Sequence, residues 1–215
     1  MTLELYCHPF SGFSQKVLIA LYENATPFQP ELVNIMTADT TALKTIWPIL
    51  RIPVLRDAAR DRTIPESSII IEYLQTYYPG PVRLIPDDPE QALATRLSDR
   101  FFDLHMTSQM LKIFTDLRRP AGKNDPLGVA QAKATLETAL GILERDLAGR
   151  TWAAGESFTM ADCAAAPPLF VANLTLPIGE GRPNLAAYFA RLQQRPSVAR
   201  VLEEAAPYRK QLLGR

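Results

Sequence analysis

The sequence predicts a two-part fold, in which a mixed α/β part with a four-stranded sheet is followed by an all-helical bundle. Up to about residue 80, short apolar runs alternate with helical patterns, an order typical of a mixed sheet covered by helices. From about Pro86 onward, apolar residues keep helical spacing and no strand signal interrupts them. We therefore predict a first domain over residues 1–80, a linker over 81–89 and a helical domain over 90–215.

The first part has the order strand, helix, strand, helix, strand, strand, helix. In the first helix, Val17, Leu18 and Leu21 have the spacing of one helix face. The last helix stops at Pro79-Gly80, which is a strong breaker pair. The seven segments are, in chain order, "LELY", "SQKVLIALYENA", "FQPELVNI", "TADTTALKTIW", "IPVLRD", "DRTIPES" and "ESSIIIEYLQTYY".

Five helical patterns fill the second part. The first is long and runs up to Pro120, and the second has Gly149 placed as a stop. Thr159 is a candidate cap for the third, and Asp162, three residues later, can reach back to it as in a capping box. The fifth has Pro196 at a plausible first helical position. The patterns are "DDPEQALATRLSDRFFDLHMTSQMLKIFTDLRR", "DPLGVAQAKATLETALGILERDLAGR", "TMADCAAAPPLFVANL", "NLAAYFARLQQ" and "PSVARVLEEA".

Composition excludes several function classes. The 215 residues carry a formal net charge of +0, and neither part has the basic excess that tracks a phosphate backbone, so we expect no nucleic-acid partner. No apolar run is long enough to span a membrane. The two Cys are too few for a disulfide framework, so a reducing cytoplasm is the expected location. With two Cys and two His in total, we expect no metal site.

The segments "RIPVL" and "IPESSII" each allow a structural and a functional interpretation. Pro53 is either a trans proline at the start of a strand or part of a cis bond that turns the backbone of Ile52 toward a peptide ligand. Glu66 and Ser67 begin a helix, where they are either plain caps or ligand-binding residues. In the second case, the helix N-terminus and Ser67 hold a carboxylate, and Glu66 pairs with an ammonium group.

The segment "YCHPFSGFSQKV" places Ser11 after a strand and at the start of a helix. Ser11 or Ser14 is a candidate N-cap. Alternatively, the Ser11 hydroxyl donates a hydrogen bond to a thiolate. A free thiol has a pKa of about 8.5, and a hydroxyl donor and a helix N-terminus both favour its anion. Lowering that pKa by about two units requires about 2.7 kcal/mol.

Taken together, these segments resemble the cytosolic glutathione transferase superfamily over nearly the whole chain. The resemblance rests on the thioredoxin-like order of the first part, on "IPVL", on "PESSIIIEYL", which begins twelve residues after that proline, and on "TMADCAAAP" in the helical part. It implies glutathione as co-substrate, a detoxifying thiol transfer to a small hydrophobic electrophile, and a homodimer.

The resemblance also implies roles for individual residues. In the serine-type classes the catalytic Ser lies six residues before the Val of an Arg/Lys-Val pair, and counting back from Val17 gives Ser11. Tyr6 is the second candidate, by analogy with the tyrosine-type classes. Cys7 does not occupy the position that the cysteine-type classes use, so we interpret it as a buried residue. Ser11-Gly12-Phe13 lacks the Ser-Ser-Cys run of the isomerase-type class.

For glutathione itself, the resemblance implies that Ile52, through a cis Pro53, pairs with the cysteinyl part, and that Glu66 and Ser67 hold the γ-glutamyl end. Arg51 stands where Lys is usual and is a candidate for binding the glycine carboxylate, since guanidinium geometry suits that contact.

The electrophile would lie between the two parts. Phe10 and Phe13 from the opening loop are suited to form the wall of such a pocket, and Phe102 and Met106 on the long helix are further candidates. Aromatic and Met residues at such positions are, however, more often part of the core. Two alternatives remain, which are a glutathione-dependent peroxidase that uses the same site and a non-catalytic protein that binds glutathione or hydrophobic ligands.

Overall fold

The computed structural model describes residues 3–34, 41–174, 178–179 and 181–213. The chain divides into two compact units, the first comprising Met1–Ile85 with Arg195–Arg215 and the second Pro86–Gln194. The predicted fold class is confirmed, because the first unit contains a mixed four-stranded sheet with helices and the described part of the second consists of helices. The predicted domain boundaries stay a prediction, and contacts group the last helix with the first unit.

The sheet of the first unit has the strand order β2-β1-β3-β4. Strand β1 (Leu3–Cys7) pairs in parallel with β2 (Gln29–Leu32), and β3 (Val54–Asp57) pairs antiparallel with both β1 and β4 (Arg62–Pro65). A parallel pair needs a crossover connection, and helix α1 (Gly12–Glu23) supplies it. All four strands lie where the sequence pattern predicts them.

Three further helices complete the first unit, and they are α2 (Thr41–Ile46), α3 (Ser67–Tyr77) and α9 (Pro196–Leu213). The predicted opening of α2 at residues 37–40 lies outside the described residues. Helix α1 is buried from Ser14 to Leu21, because it packs against both α3 and α9. These contacts fix the segment that follows the Ser11 loop.

The described part of the second unit is helical, and the first of the predicted helical patterns contains a π-helical turn (Phe102–Thr107). Helix α4 packs against α7, α5 against α6, and α8 against both α6 and α7. The helices are α4 (Pro89–Phe101), α5 (Ser108–Asp116), α6 (Pro126–Asp146), α7 (Met160–Asn173) and α8 (Pro183–Gln193).

Two kinds of feature are absent from the residues that the structure describes. None of their helices is both long and apolar enough to cross a membrane. Within the same residues, no three His, Cys, Asp or Glu side chains are grouped so that they could hold a metal ion.

Candidate active site

Three chain segments meet at one end of the sheet in the first unit. The strand register pairs Tyr6 with Val54 and Val54 with Pro65, so the end of β1, the start of β3 and the end of β4 coincide. The loop that carries Ser11 leaves β1 at this end, Pro53 directly precedes β3, and helix α3 follows β4. The three segments selected from the sequence are therefore brought together.

Ser11 is the N-cap of α1. Its backbone is extended (φ −80°, ψ 119°), and its Oγ accepts the Ser14 N–H at 3.4 Å. This contact confirms the capping interpretation, but it uses only a lone pair of the oxygen and leaves the O–H as a donor. The side chain is half-buried. Ser11 therefore has a donor to offer at the positive end of a helix dipole.

His8 organises the loop that contains Ser11. Its carbonyl oxygen accepts the Ser11 N–H at 2.9 Å, and its own N–H donates to Ser14 Oγ at 3.3 Å. Its ring Nδ1 accepts the Phe10 N–H at 3.1 Å. The ring is buried, which lowers the pKa of His8 below its usual value. A neutral imidazole with its proton on Nε2 satisfies this geometry.

Cys7 and Tyr6, the two residues weighed against Ser11, lie in β1. Cys7 is buried, and burial followed by the charges of Glu204 and Glu31 raises the pKa of its thiol to about 12. A thiol with that pKa supplies almost no thiolate at neutral pH. Burial and the nearby Glu4 raise the pKa of Tyr6, and its hydroxyl is hydrogen-bonded to Glu4. Neither residue is activated as an anion.

The N-terminus of α3 carries Glu66 and Ser67. Glu66 is an exposed N-cap with φ 70° and ψ 114°, and its side chain makes no cap hydrogen bond. A non-glycine residue in that region is strained, and such strain concentrates at functional sites. Ser67 is buried at the first helical position. The capping interpretation is therefore wrong for Glu66, whereas a ligand-binding role for either residue stays a prediction.

A buried lysine links α1 to α3. Lys16 is 1% exposed, and its Nζ donates to Ser68 Oγ at 2.8 Å. A Lys on the buried side of a helix is rare unless it is paired. The sequence identifies Lys16 only as the basic residue of the Arg/Lys-Val pair, and Ser68 is not among the predicted site residues. The available signal was the position of Lys16 next to the apolar run that starts at Val17.

The loop before β3 contains the other predicted glutathione contacts. The Ile52–Pro53 peptide is cis, as the resemblance implied, while Leu50 has a positive φ of 58°. Arg51 is exposed, Ile52 is half-buried and Pro53 is buried. The exposed guanidinium of Arg51 is accessible to an anion, and its predicted role remains a prediction.

The predicted pocket residues differ in burial. Phe10 and Phe13 are half-buried on the Ser11 loop of the first unit. Phe102 and Met106 belong to the second unit and are 1% and 0% exposed. Such burial favours the core role for these two side chains, which leaves Phe10 and Phe13 as the better candidates for contacting an apolar substrate.

Comparison with known proteins gives consistent matches along the chain. The family models described as "Glutathione S-transferase, N-terminal domain" and "Glutathione S-transferase, C-terminal domain" match residues 5–82 and 126–191. Glutathione S-transferase GstB of Escherichia coli (strain K12) is 28% identical over 197 residues, which are 87% of this chain and 91% of that protein. FtsZ-localized protein A of Caulobacter vibrioides is 32% identical over 182 residues, which are 80% of this chain and 78% of that protein.

Solved structures match as well. A glutathione S-transferase from Methylobacillus flagellatus KT with GSH bound has a TM-score of 0.83 at 27% identity, and the match covers 93% of this chain and 98% of that chain. A glutathione S-transferase from Methylobacterium radiotolerans in complex with glutathione sulfonate also has a TM-score of 0.83, at 28% identity, with 94% of each chain covered.

Proposed function

Because the chain belongs to the glutathione transferase superfamily, we propose that it binds glutathione, stabilises the thiolate through Ser11, and adds that thiolate to a hydrophobic electrophile. The observation that carries the proposal is the position of the Ser11 hydroxyl. It caps α1 with a lone pair, keeps its O–H as a donor, and lies at the end of the sheet that also presents Pro53 and the start of α3.

Glutathione would be held at its two charged ends. Glu66, exposed and without a cap hydrogen bond, is available for the ammonium of the γ-glutamyl group, while Ser67 and the N-terminus of α3 suit its carboxylate. Arg51 would meet the glycine carboxylate. Ile52 would pair its backbone with the cysteinyl part, which sets the sulfur near the Ser11 loop.

The chemistry needs a thiolate at neutral pH. The Ser11 O–H and the positive end of the α1 dipole both stabilise the anion, while the thiol proton leaves to solvent. Attack of the sulfur on an electrophilic carbon then forms a thioether bond. The electron pair of the bond that breaks leaves with a halide in an aryl halide, or moves to the neighbouring atom of a double bond, which takes up a proton from solvent. Phe10 and Phe13 are half-buried on the same loop and suit an electrophile with an apolar body.

The proposal extends to the assembly and its setting. A homodimer is supported by four exposed leucines between the start of α4 and the end of α5, since covering exposed apolar side chains favours association. These leucines are Leu93, Leu97, Leu104 and Leu111.

Detoxification in the cytoplasm is the role we propose for such an enzyme.

A second candidate function is binding without turnover. The name of FtsZ-localized protein A, at 32% identity, states a location and no reaction. A chain of this fold that keeps the glutathione site need not catalyse transfer, because a fold does not determine an activity. Hydroperoxide reduction by the same thiolate is the remaining enzymatic alternative.

The experiment that tests the proposal compares Ser11→Ala with Cys7→Ser, a control at the end of β1, directly before the Ser11 loop. We expect Ser11→Ala to raise the pKa of the bound thiol, read from thiolate absorbance, and to lose most of the thiol-transfer rate while it keeps glutathione affinity. Cys7→Ser should stay within a few-fold of wild type, because a thiol with a pKa of about 12 is not the nucleophile.

Other outcomes would change the assignment. An unchanged thiol pKa in Ser11→Ala would favour Tyr6 or a backbone donor. Loss of activity in a folded Cys7→Ser variant would favour disulfide exchange. Retention of the wild-type protein on immobilised glutathione, without turnover of aryl halides or hydroperoxides, would establish the binding function instead.

A further inference from the structure

His8 makes three hydrogen bonds that together shape the Ser11 loop. Two come from its main chain, to the Ser11 N–H at 2.9 Å and to Ser14 Oγ at 3.3 Å. The third is an acceptor contact from ring Nδ1 to the Phe10 N–H at 3.1 Å. The main-chain contacts do not depend on the side chain, except for proline, which lacks the N–H. The hydrogen bond that the His8 side chain itself adds to the loop is the one to the Phe10 N–H.

The ring is fixed from its other side. It is 6% exposed and meets the Tyr208 ring of α9 edge-on, with 4.7 Å between centroids and 70° between planes. This contact and the hydrogen bond leave the imidazole little freedom to rotate. The loop is therefore clamped between β1, which His8 follows, and α9.

We propose that His8 is a positioning residue for Ser11, and that its neutral imidazole holds the backbone of Phe10 so that the Ser11 hydroxyl points at the ligand thiol. The proposal rests on the proposed function of Ser11 and goes beyond it by naming the group that controls its orientation. His8 itself touches no reacting atom.

Protonation of His8 at Nδ1 would break the hydrogen bond that this atom accepts from the Phe10 N–H. A proton on Nδ1 would oppose the Phe10 N–H, since an imidazolium has no acceptor. Tyr208 on α9 contacts the ring directly, whereas Glu204 on α9 and Glu31 on β2 act on the adjacent Cys7. Burial is what lowers the pKa of His8, so the loop keeps its shape at neutral pH and loses it in acid.

The test uses substitutions that separate the hydrogen-bond acceptor of His8 from the packing of its ring. In His8→Asn the amide Oδ1 replaces Nδ1 as an acceptor at the same distance along the side chain, and it does not titrate. His8→Leu keeps an apolar side chain without an acceptor. His105→Asn is the matched control, because the chain has two histidines and the second one, His105, is exposed.

We expect His8→Leu to lower kcat at least about tenfold, since small misplacements of a catalytic group have effects of that size or larger. It should also raise the pKa of the bound thiol by about one unit, with the glutathione Kd changed little. His8→Asn should restore kcat and the thiol pKa at neutral pH. Equal losses in both variants, with intact circular dichroism, would overturn the proposal in favour of a packing role.

A nuclear magnetic resonance titration tests the clamp without relying on activity. In the His105→Asn protein the single remaining imidazole signal belongs to His8, and the amide signals of Phe10 and Ser11 should shift with the same midpoint. In His8→Asn that shift should vanish. Amide signals that titrate independently of the ring would refute the clamp. Absence of thiol transfer in wild type, with the coupled titration intact, would instead refute the function of Ser11.

Discussion

At the residue scale, the Ser11 oxygen is compatible with both of the roles that the sequence presents as alternatives. It accepts the Ser14 N–H at 3.4 Å and so caps α1. The same contact orients the oxygen and leaves its hydrogen available for a ligand. An N-cap and a thiolate donor are therefore compatible in one serine, because a hydroxyl both accepts and donates.

Ser67 is a second residue with two possible roles, and one variant separates them. If Ser67 binds the γ-glutamyl carboxylate, Ser67→Ala should raise the glutathione Kd by roughly tenfold or more, because a charge-assisted hydrogen bond contributes about 1.5–3 kcal/mol. Calorimetry on the folded variant measures this change.

The competing role predicts a different result from the same variant. If Ser67 only stabilises the N-terminus of α3, its replacement by Ala should lower the free energy of unfolding by roughly 1 kcal/mol and leave the affinity for glutathione unchanged. A lower melting temperature with an unchanged Kd would remove Ser67 from the binding site and leave Glu66 as the sole polar contact we propose there.

At the element scale, the start of α7 confirms a capping prediction made from spacing alone. Asp162 accepts the Thr159 N–H at 2.8 Å and the Thr159 hydroxyl at 3.2 Å. It also accepts the Ala153 N–H at 2.9 Å and the Tyr188 hydroxyl at 2.7 Å, two contacts from outside the helix. Sequence spacing predicts the local pair and cannot identify the distant donors.

We predict that Asp162→Ala is the most destabilising change at this helix start. It leaves four buried donors without their acceptor, so the free energy of unfolding should fall by about 3 kcal/mol or more. Thr159→Ala is the matched control and should cost roughly 1 kcal/mol, the value of an N-cap. Chemical denaturation measures both. Equal losses would mean that Asp162 acts only as a local cap.

The first helical pattern of the second unit contains a feature that the spacing of apolar residues does not predict. The sequence predicts one long helix, whereas the structure inserts a π-helical turn over Phe102–Thr107. Two backbone carbonyl groups in this turn accept hydrogen bonds from side chains. Ser108 Oγ donates to the Asp103 carbonyl oxygen at 2.8 Å, and Gln109 Nε2 donates to the Leu104 carbonyl oxygen at 2.9 Å. Such a turn alters the phase of the helix by one residue, which apolar periodicity is too coarse to detect.

At the scale of the whole molecule, the sequence predicts local elements and misses their pairing. Leu3 and Leu5 alternate with polar neighbours, and this alternation predicts a strand. The register of that strand depends on residues far along the chain. The grouping of α9 with the first unit likewise depends on contacts such as Arg195 to Glu23 at 2.7 Å. Periodicity contains no information about such long-range pairs.

The exposed leucines of the second unit lead to the last prediction, which concerns assembly. Leu93 and Leu97 are 63% and 70% exposed on α4, Leu104 is exposed in the π-helical turn, and Leu111 is exposed on α5. These four leucines follow one another along the chain from α4 to α5, and we call them the stripe. Two copies of one such stripe can cover each other around a twofold axis, since an isologous interface uses the same surface on both chains. We therefore expect a homodimer with twice the chain mass of 23.9 kDa in sedimentation velocity.

Leu97→Glu should convert that dimer to a monomer, because each partner would bury an unpaired carboxylate at the centre of the interface. Leu127→Glu is the matched control, since Leu127 is 69% exposed but belongs to a different helix, α6. It should leave the mass unchanged. A monomeric wild-type protein at all concentrations, or dissociation by both substitutions alike, would contradict the stripe as the dimer interface, whereas dissociation by Leu97→Glu alone assigns the interface to α4.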